Sequence, residues 1–344
     1  MKNFKRFASA ILALTLALSL TACGGSKETA SDAPADTGDS APAEETAKVY
    51  KIGISQYGEH ASLDNCREGF LQGLAEAGLV EGTDFEVDYQ NAGFDDSIAT
   101  QIGQSFSAAG VDLMVAIATP SATACYAAAE DKDIPVIFTA ITDPVQAKLD
   151  SGNVTGTSDL TPIKEQMELL QQLFPDAKTV GILYCSAESN SDIQATMAED
   201  AAKDLSLSTE RYTVSSSNEI QQVVESMVGK VDVCYAPTDN TIAAGMSTVT
   251  MVANDNGLPV IAGEENMVAN GALASYSINY HDLGYKAGQM AVKILQDGDD
   301  PADMAIADLD ADEGTLVVHS DTASALGVDI SGLDGATDLA GTAE

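Results

Sequence analysis

Leu113-Met114-Val115-Ala116-Ile117-Ala118-Thr119-Pro120-Ser121-Ala122 reads as a strand that runs straight into a helix. The apolar run Leu113 to Ala118 is bounded by a capping threonine, and Pro120 fits the first helical position. The second half of the chain repeats the device. Val231 to Tyr235 leads into Ala236-Pro237-Thr238-Asp239-Asn240-Thr241, and a helix follows from Thr241 to Asn254. Around each copy, short apolar runs alternate with amphipathic or Ala-rich stretches. The first series has strands at Val49 to Ser55, Phe85 to Tyr89, Leu113 to Ala118, Val136 to Thr139 and Val154 onward. The second has them at Thr179 to Tyr184, Ser208 to Val214, Val231 to Tyr235, Val260 to Ala262, Ala272 to Ile278 and Thr315 to Val318. Such alternation is the signature of parallel sheets covered by helices. The expected fold class is therefore α/β, with two doubly wound parallel-sheet lobes of similar order.

In doubly wound sheets, ligands bind beyond the carboxyl ends of the strands. The strand-to-helix loops are thus the candidate site. The first supplies Gln56, Tyr57 and His60, with Leu63 and Asp64 just beyond. Thr119 and Ser121 open the helix after Leu113 to Ala118, where free amides and the helix dipole favour an anion. Simple capping needs the same residues. Thr139, Thr142 and Asp143 add hydroxyls and a carboxylate, although Asp143 before Pro144 also suits a turn. The second lobe offers Tyr184, Glu188, Asn190, Ser191, Asp239, Asn240, Thr241 and Glu264, and Tyr280 follows its last crossing. Asp239 is suited to a ligand ammonium, and Asn240 both donates and accepts. An Asx turn or N-cap is an equal reading of each. Amides from one lobe facing acids from the other would suit a zwitterion.

Composition bounds the partners. A formal charge of −37 argues against nucleic acid and anionic lipid headgroups. The acidic stretch Asp297 to Glu313 reads as a solvated surface, and its spacing does not match an EF-hand calcium loop. The sequence contains no GxGxxG after a strand, no Walker A, no HExxH and no GxSxG, so an enzyme is the last-ranked class and no cofactor or metal is expected. Of five cysteines, Cys66, Cys125, Cys185 and Cys234 read mostly as small buried hydrophobes, with a Cys185–Cys234 bridge conceivable.

The amino terminus reads as a targeting signal. Lys2, Lys5 and Arg6 precede an apolar core from Phe7 to Leu20, about 14 residues and too short to span a bilayer. Leu20-Thr21-Ala22-Cys23 resembles the lipobox of bacterial lipoproteins. The resemblance implies removal of residues 1–22 and lipid on the Cys23 thiol and amino group. Gly24 to Thr46 has no large apolar residue and reads as a flexible tether.

Several stretches of the body are similar to tryptophan/tyrosine-type substrate-binding proteins of ABC transporters. They are His60-Ala61-Ser62-Leu63-Asp64 with Glu68-Gly69-Phe70, Phe138-Thr139-Ala140-Ile141-Thr142-Asp143-Pro144-Val145, Asn153-Val154-Thr155-Gly156, Glu188-Ser189-Asn190-Ser191 and Pro237-Thr238-Asp239-Asn240-Thr241. Thr119-Pro120, Val180-Gly181-Ile182-Leu183-Tyr184 and Gly271-Ala272-Leu273-Ala274 with Tyr280 and Leu283-Gly284 complete the set. The resemblance implies a type I periplasmic-binding fold whose lobes are joined by a hinge of three crossings, near Thr157, Ser277 and Asp310. It divides the chain into 48–157 plus 278–310 as the first lobe, 158–277 plus 311–330 as the second, and 331–344 as a tail. It implies a monomer on the outer face of the cell membrane. The ligand would be an amino acid, often aromatic, handed to an ABC permease with a separate ATPase. Gly58 departs from the pattern and is expected to alter the pocket. Same-fold binding of a nucleoside, sugar or other solute, and a sensor lipoprotein without transport, are the alternatives.

Overall fold

A computed structural model describes residues 48–308 and 314–342. The stretches read as a signal peptide and a tether, with Cys23, lie outside the described residues, as do 309–313 within the acidic stretch. The first sheet is built from β1 (Tyr50–Gln56), β2 (Phe85–Asn91), β3 (Leu113–Ile117), β4 (Val136–Ile141), β5 (Val154–Ser158) and β11 (Ala307–Asp308). They lie in the order β11-β5-β4-β3-β1-β2, every pair parallel. The second sheet contains β6 (Thr179–Cys185), β7 (Ser208–Val214), β8 (Val233–Ala236), β9 (Val260–Ala262), β10 (Ala274–Ser277), β12 (Thr315–Val318) and β13 (Thr337–Asp338). Their order is β13-β12-β10-β9-β8-β6-β7, with β12 antiparallel to β10.

The apolar runs become central strands because helices cover both faces and leave no solvated side. β3 and β4 are buried along their whole length. On the first lobe, α1 (Ala61–Glu76), α2 (Asp96–Ala109) and α3 (Thr119–Ala129) follow β1, β2 and β3, and α10 (Tyr280–Val292) packs beside α1. Small residues set that last contact. A side chain at Gly69 would lie 2.0 Å from the His281 carbonyl oxygen, and one at Gly284 would lie 1.9 Å from that of Cys66. On the second lobe, α4 (Ile163–Leu173) and α5 (Ser189–Asp204) cover one face of the sheet. The opposite face is covered by α6 (Ile220–Met227), α7 (Asn240–Ala244), α8 (Met246–Asp255) and α9 (Glu265–Ala269).

The chain leaves the first sheet at Ser158 and returns after Ser277 through α10, whose Tyr280, Leu283 and Ala287 join the first core. It passes to the second sheet again between β11 and β12, across residues outside the described set.

Three details differ from the sequence reading. The segment read as a C-terminal tail adds β13 to the second sheet, pairing Val317 with Thr337, and Leu333 and Leu339 pack on the core. The single helix expected over Thr241 to Asn254 breaks at Gly245, where a side chain would meet Ile220 at 2.2 Å. A Cys185–Cys234 bridge is ruled out: the four described cysteines are free, and Cys234 pairs in register with Gly181. Four residues of strand separate Gly181 from Cys185, roughly 13 Å at the rise of a strand and well past disulfide reach.

Candidate functional site

The carboxyl ends of both sheets face each other across a cleft. At its centre is a small cavity lined by His60, Ser62, Leu63, Ala140, Thr142, Asp159, Asn190, Thr238, Asp239, Asn240, Ala243, Glu264 and Tyr280. Its free space is about 20 Å³, room for roughly one water molecule. An aromatic amino acid can enter only if the lobes part or the lining shifts. Toward solvent the cleft widens into a recess of about 200 Å³ that shares Asn190 and is also lined by Thr119, Asp143 and Ser189. A groove of about 410 Å³ continues between α2, α3 and the second lobe's Ala187 and Ser189.

Hydrogen bonds tie the lobes across the cleft. His60 Nε2 meets Asn240 Oδ1 at 3.2 Å, Asn266 Nδ2 donates to Ser62 Oγ at 3.1 Å, and Gln194 Nε2 donates to Thr142 Oγ1 at 3.2 Å. Burial holds His60 down at about 4, although its Asn240 bond acts the other way, so the ring is neutral near pH 7.

The cavity is acidic. Asp159, Asp239 and Glu264 line it, and no Lys or Arg does. Asp159 follows β5 directly and accepts from Thr142 Oγ1 at 3.2 Å and Tyr280 OH at 3.0 Å. Burial pushes Asp159 up to about 6 and Glu264 up to about 7. Asp239 is also raised, first by burial and then by the charge of Glu188. A ligand ammonium would stabilise the ionised form of each.

Two strained alanines sit at this mouth. Ala118 ends β3 at φ 77° and Ala140 lies near the end of β4 at φ 59°. Backbone of this kind costs about 1–3 kcal/mol in a non-glycine residue and collects at ligand sites. Ala118 turns the chain into α3, whose start has no side-chain cap. Pro120 has no N–H, so the amides of Thr119 and Ser121 are the ones left without a side-chain cap.

The cavity brings together His60, Leu63, Thr142, Asn190, Asp239, Asn240, Glu264 and Tyr280 from the residues read in the sequence. Thr119 and Asp143 line the outer recess instead. Gln56 stands behind, donating to the Gly58 carbonyl and to Asp64, which also pairs with Arg67. Tyr57 donates to Asp96 and packs edge-on against Phe94. Gly58 gives room to that phenylalanine, 1.9 Å from where a side chain would sit, and does not line the cavity.

Other assignments need correction. Tyr184 turns toward α5, where it donates to Asp192 and accepts from Arg211 of β7, because successive strand residues face opposite ways. Thr139 is in the first core, bonded to Thr157 and Cys66, and Ser121 bonds Ser55 there. Glu188 holds the start of α7, accepting from the amides of Asn240 and Thr241 and from both side chains. Ser191 and Thr241 lie beside it, away from the cavity. Asp239 accepts from the amides of Cys185 at 2.6 Å and Ile242 at 2.8 Å, so it is a structural cap as well as a lining group. Asp159 and Gln194 were not read from the sequence, and Thr238 was read only as part of the Pro237–Thr241 loop. Nothing local marks Asp159 or Gln194, since their roles come from the crossing and from contact between lobes.

The family model for ABC transporter substrate binding proteins matches residues 51–333. The chain belongs to this family. A protein called tyrosine-binding protein in Clostridioides difficile (strain R20291) is 42% identical over 288 residues, 82% of each chain. A Streptococcus pneumoniae structure described as an ABC domain in complex with L-Trp is 38% identical and has a TM-score of 0.80. It covers 85% of this chain and 99% of its own. The ligand-free, open structure of a Clostridium difficile substrate-binding protein with adhesive properties is 39% identical and has a TM-score of 0.64, over 84% and 99%. The family member described here is a solute-binding protein with the type I periplasmic-binding fold. Its closer match to the ligand-bound relative, at nearly equal identity, agrees with lobes that touch across the cleft.

Proposed function

We propose that this chain is an exported, lipid-anchored receptor that captures an aromatic amino acid between its lobes and delivers it to the permease of an ABC importer driven by a separate ATPase. The observation that carries the ligand class is the acidic, cation-free cavity beside an uncapped helix start. Asp159 takes the ligand ammonium, with Asp239 and Glu264 adding negative potential. The α3 amides near Thr119 take the carboxylate. Asn190 Oδ1 and His60 Nδ1, buried without a protein partner, supply further polar contacts. The aromatic ring is inferred from the tyrosine- and tryptophan-linked relatives. Ligand would select the closed lobes by its differential affinity for them. The protein acts as a monomer, held at the outer face of the membrane through lipid on Cys23.

Calorimetry and thermal shift with L-tyrosine, L-tryptophan, tyramine, 3-(4-hydroxyphenyl)propionate, sugars and nucleosides test the ligand. The expected result is a raised melting temperature with the aromatic amino acids, and large losses for analogues lacking either charge. Equal binding of the deaminated analogue refutes the ammonium assignment, and stabilisation by a sugar or nucleoside alone moves the ligand class. Cys23→Ser is expected to shift the protein from the membrane fraction to the soluble one.

A further inference from the structure

Gln194 is fully buried on α5 and does not line the cavity. Both of its amide hydrogens are used. One goes to the Thr238 carbonyl at 2.9 Å within its own lobe, and the other crosses to Thr142 Oγ1 at 3.2 Å. Its oxygen accepts from the Thr238 amide at 3.2 Å and hydroxyl at 2.7 Å, which clamps the side chain to the second lobe. Thr142 in turn donates to Asp159 Oδ1 at 3.2 Å.

We infer that Gln194 is a positioning residue that couples lobe closure to the readiness of Asp159, by fixing the Thr142 hydroxyl proton on that carboxylate only when the lobes meet. The inference rests on the proposal that Asp159 takes the ligand ammonium. A threonine hydroxyl has one proton and two lone pairs, and its rotor turns to suit its neighbours. When the lobes part, Thr142 loses the Gln194 donor and its proton is free to turn to water. When they close, the Gln194 N–H takes a lone pair and the proton turns to Asp159. With Tyr280 on the other oxygen, Asp159 is then held from both sides. The stabilisation exists only in the closed state, so it slows ligand escape and leaves capture unchanged.

A double-mutant cycle on the full chain tests this, using Gln194→Met, Thr142→Val and the pair, read by stopped-flow ligand dissociation. Gln194→Glu is the second variant, because it keeps both acceptor bonds from Thr238 and loses the donors. Each single variant is expected to raise the dissociation rate about tenfold with association within about twofold, and the pair is expected to be no worse than the worse single. Thr142→Ser keeps the hydroxyl and is expected to restore slow dissociation relative to Thr142→Val. Melting shifts of the ligand-free variants are expected to add, since parted lobes hold Gln194 and Thr142 away from each other. Dissociation effects that multiply in the pair, or a wild-type rate in Gln194→Glu, overturn the inference. If wild type binds no aromatic amino acid, the proposed function fails on its own, and the cycle is read with whichever solute raises the melting temperature. Independence of the two substitutions there overturns the coupling.

Discussion

Replacing Asp159 with asparagine should separate binding from stability. The substitution keeps the shape and removes one carboxylate oxygen and the charge. Thr142 and Tyr280 each donate to this group, at 3.2 and 3.0 Å, so one of them loses its acceptor at a cost of about 1–3 kcal/mol. Against this, burial raises Asp159 from 3.8 to about 6, so carrying the charge at pH 7.5 costs the ligand-free protein roughly 3 kcal/mol. Neutral asparagine avoids that cost. The melting temperature of the ligand-free variant is therefore expected to stay level or rise. Binding loses a charge-assisted hydrogen bond to the ligand ammonium, about 1.5–3 kcal/mol or roughly a 10–150-fold weaker Kd. Calorimetry with an aromatic amino acid at pH 7.5, beside calorimetric melting without ligand, measures both. An affinity within threefold of wild type, or a large fall in ligand-free stability, would refute the reasoning.

Three further outcomes are expected. The raised values of Asp159 and Glu264 mean that the folded, ligand-free protein holds extra protons between their ordinary range and about pH 7. The stability linked to these two groups is complete below about pH 4 and is lost as pH rises toward 7, while affinity for an ammonium rises by at most about tenfold per pH unit for each proton released. Melting and binding scans should show both trends, flattened in an Asp159→Asn, Glu264→Gln double variant. Gly284→Ala should cost about 1–3 kcal/mol or more through overpacking against Cys66, whereas Gly332→Ala, with open space around it, should melt as wild type. Glu188→Ala strips partners from buried amides and side chains at the start of α7, and is expected to lower stability by about 3 kcal/mol or more. Asp239→Ala should likewise lose stability along with affinity, since the Cys185 and Ile242 amides depend on it. Thermal melting of the two variants checks this.

Much of the architecture was legible because parallel strands buried on both faces leave long apolar runs, as at Leu113–Ile117 and Val136–Ile141. The loops that meet the cavity were legible for the same reason: they follow those runs. What a loop side chain faces was less so. Thr139 and Thr142 are three residues apart, yet one is sealed in the first core and the other faces the second lobe. For Asp239 the sequence left ligand and N-cap as equal readings, and the fold shows that it caps α7 together with Glu188, whose part comes from a distant loop. Asp159 has no motif, because its burial comes from a crossing between sheets. The left-handed Ala118 and Ala140 were also hidden, since alanine gives no hint of a positive φ where glycine would.

The tight seam between α1 and α10 has a consequence for assembly. α1 begins at Ala61, but the helix that shields it starts at Tyr280, after nearly the whole second lobe has been made. Until residues 280–292 arrive, Phe70 and Leu74 lack the neighbours that finally cover them, and the glycine faces of α1 have nothing to interlock with. A nascent first lobe is thus an unfinished body exposed through most of synthesis, while the second lobe needs only β12 and β13 from beyond that point to complete its sheet. A chain with this wiring would benefit from a chaperone that keeps the first half open until its closing helix appears.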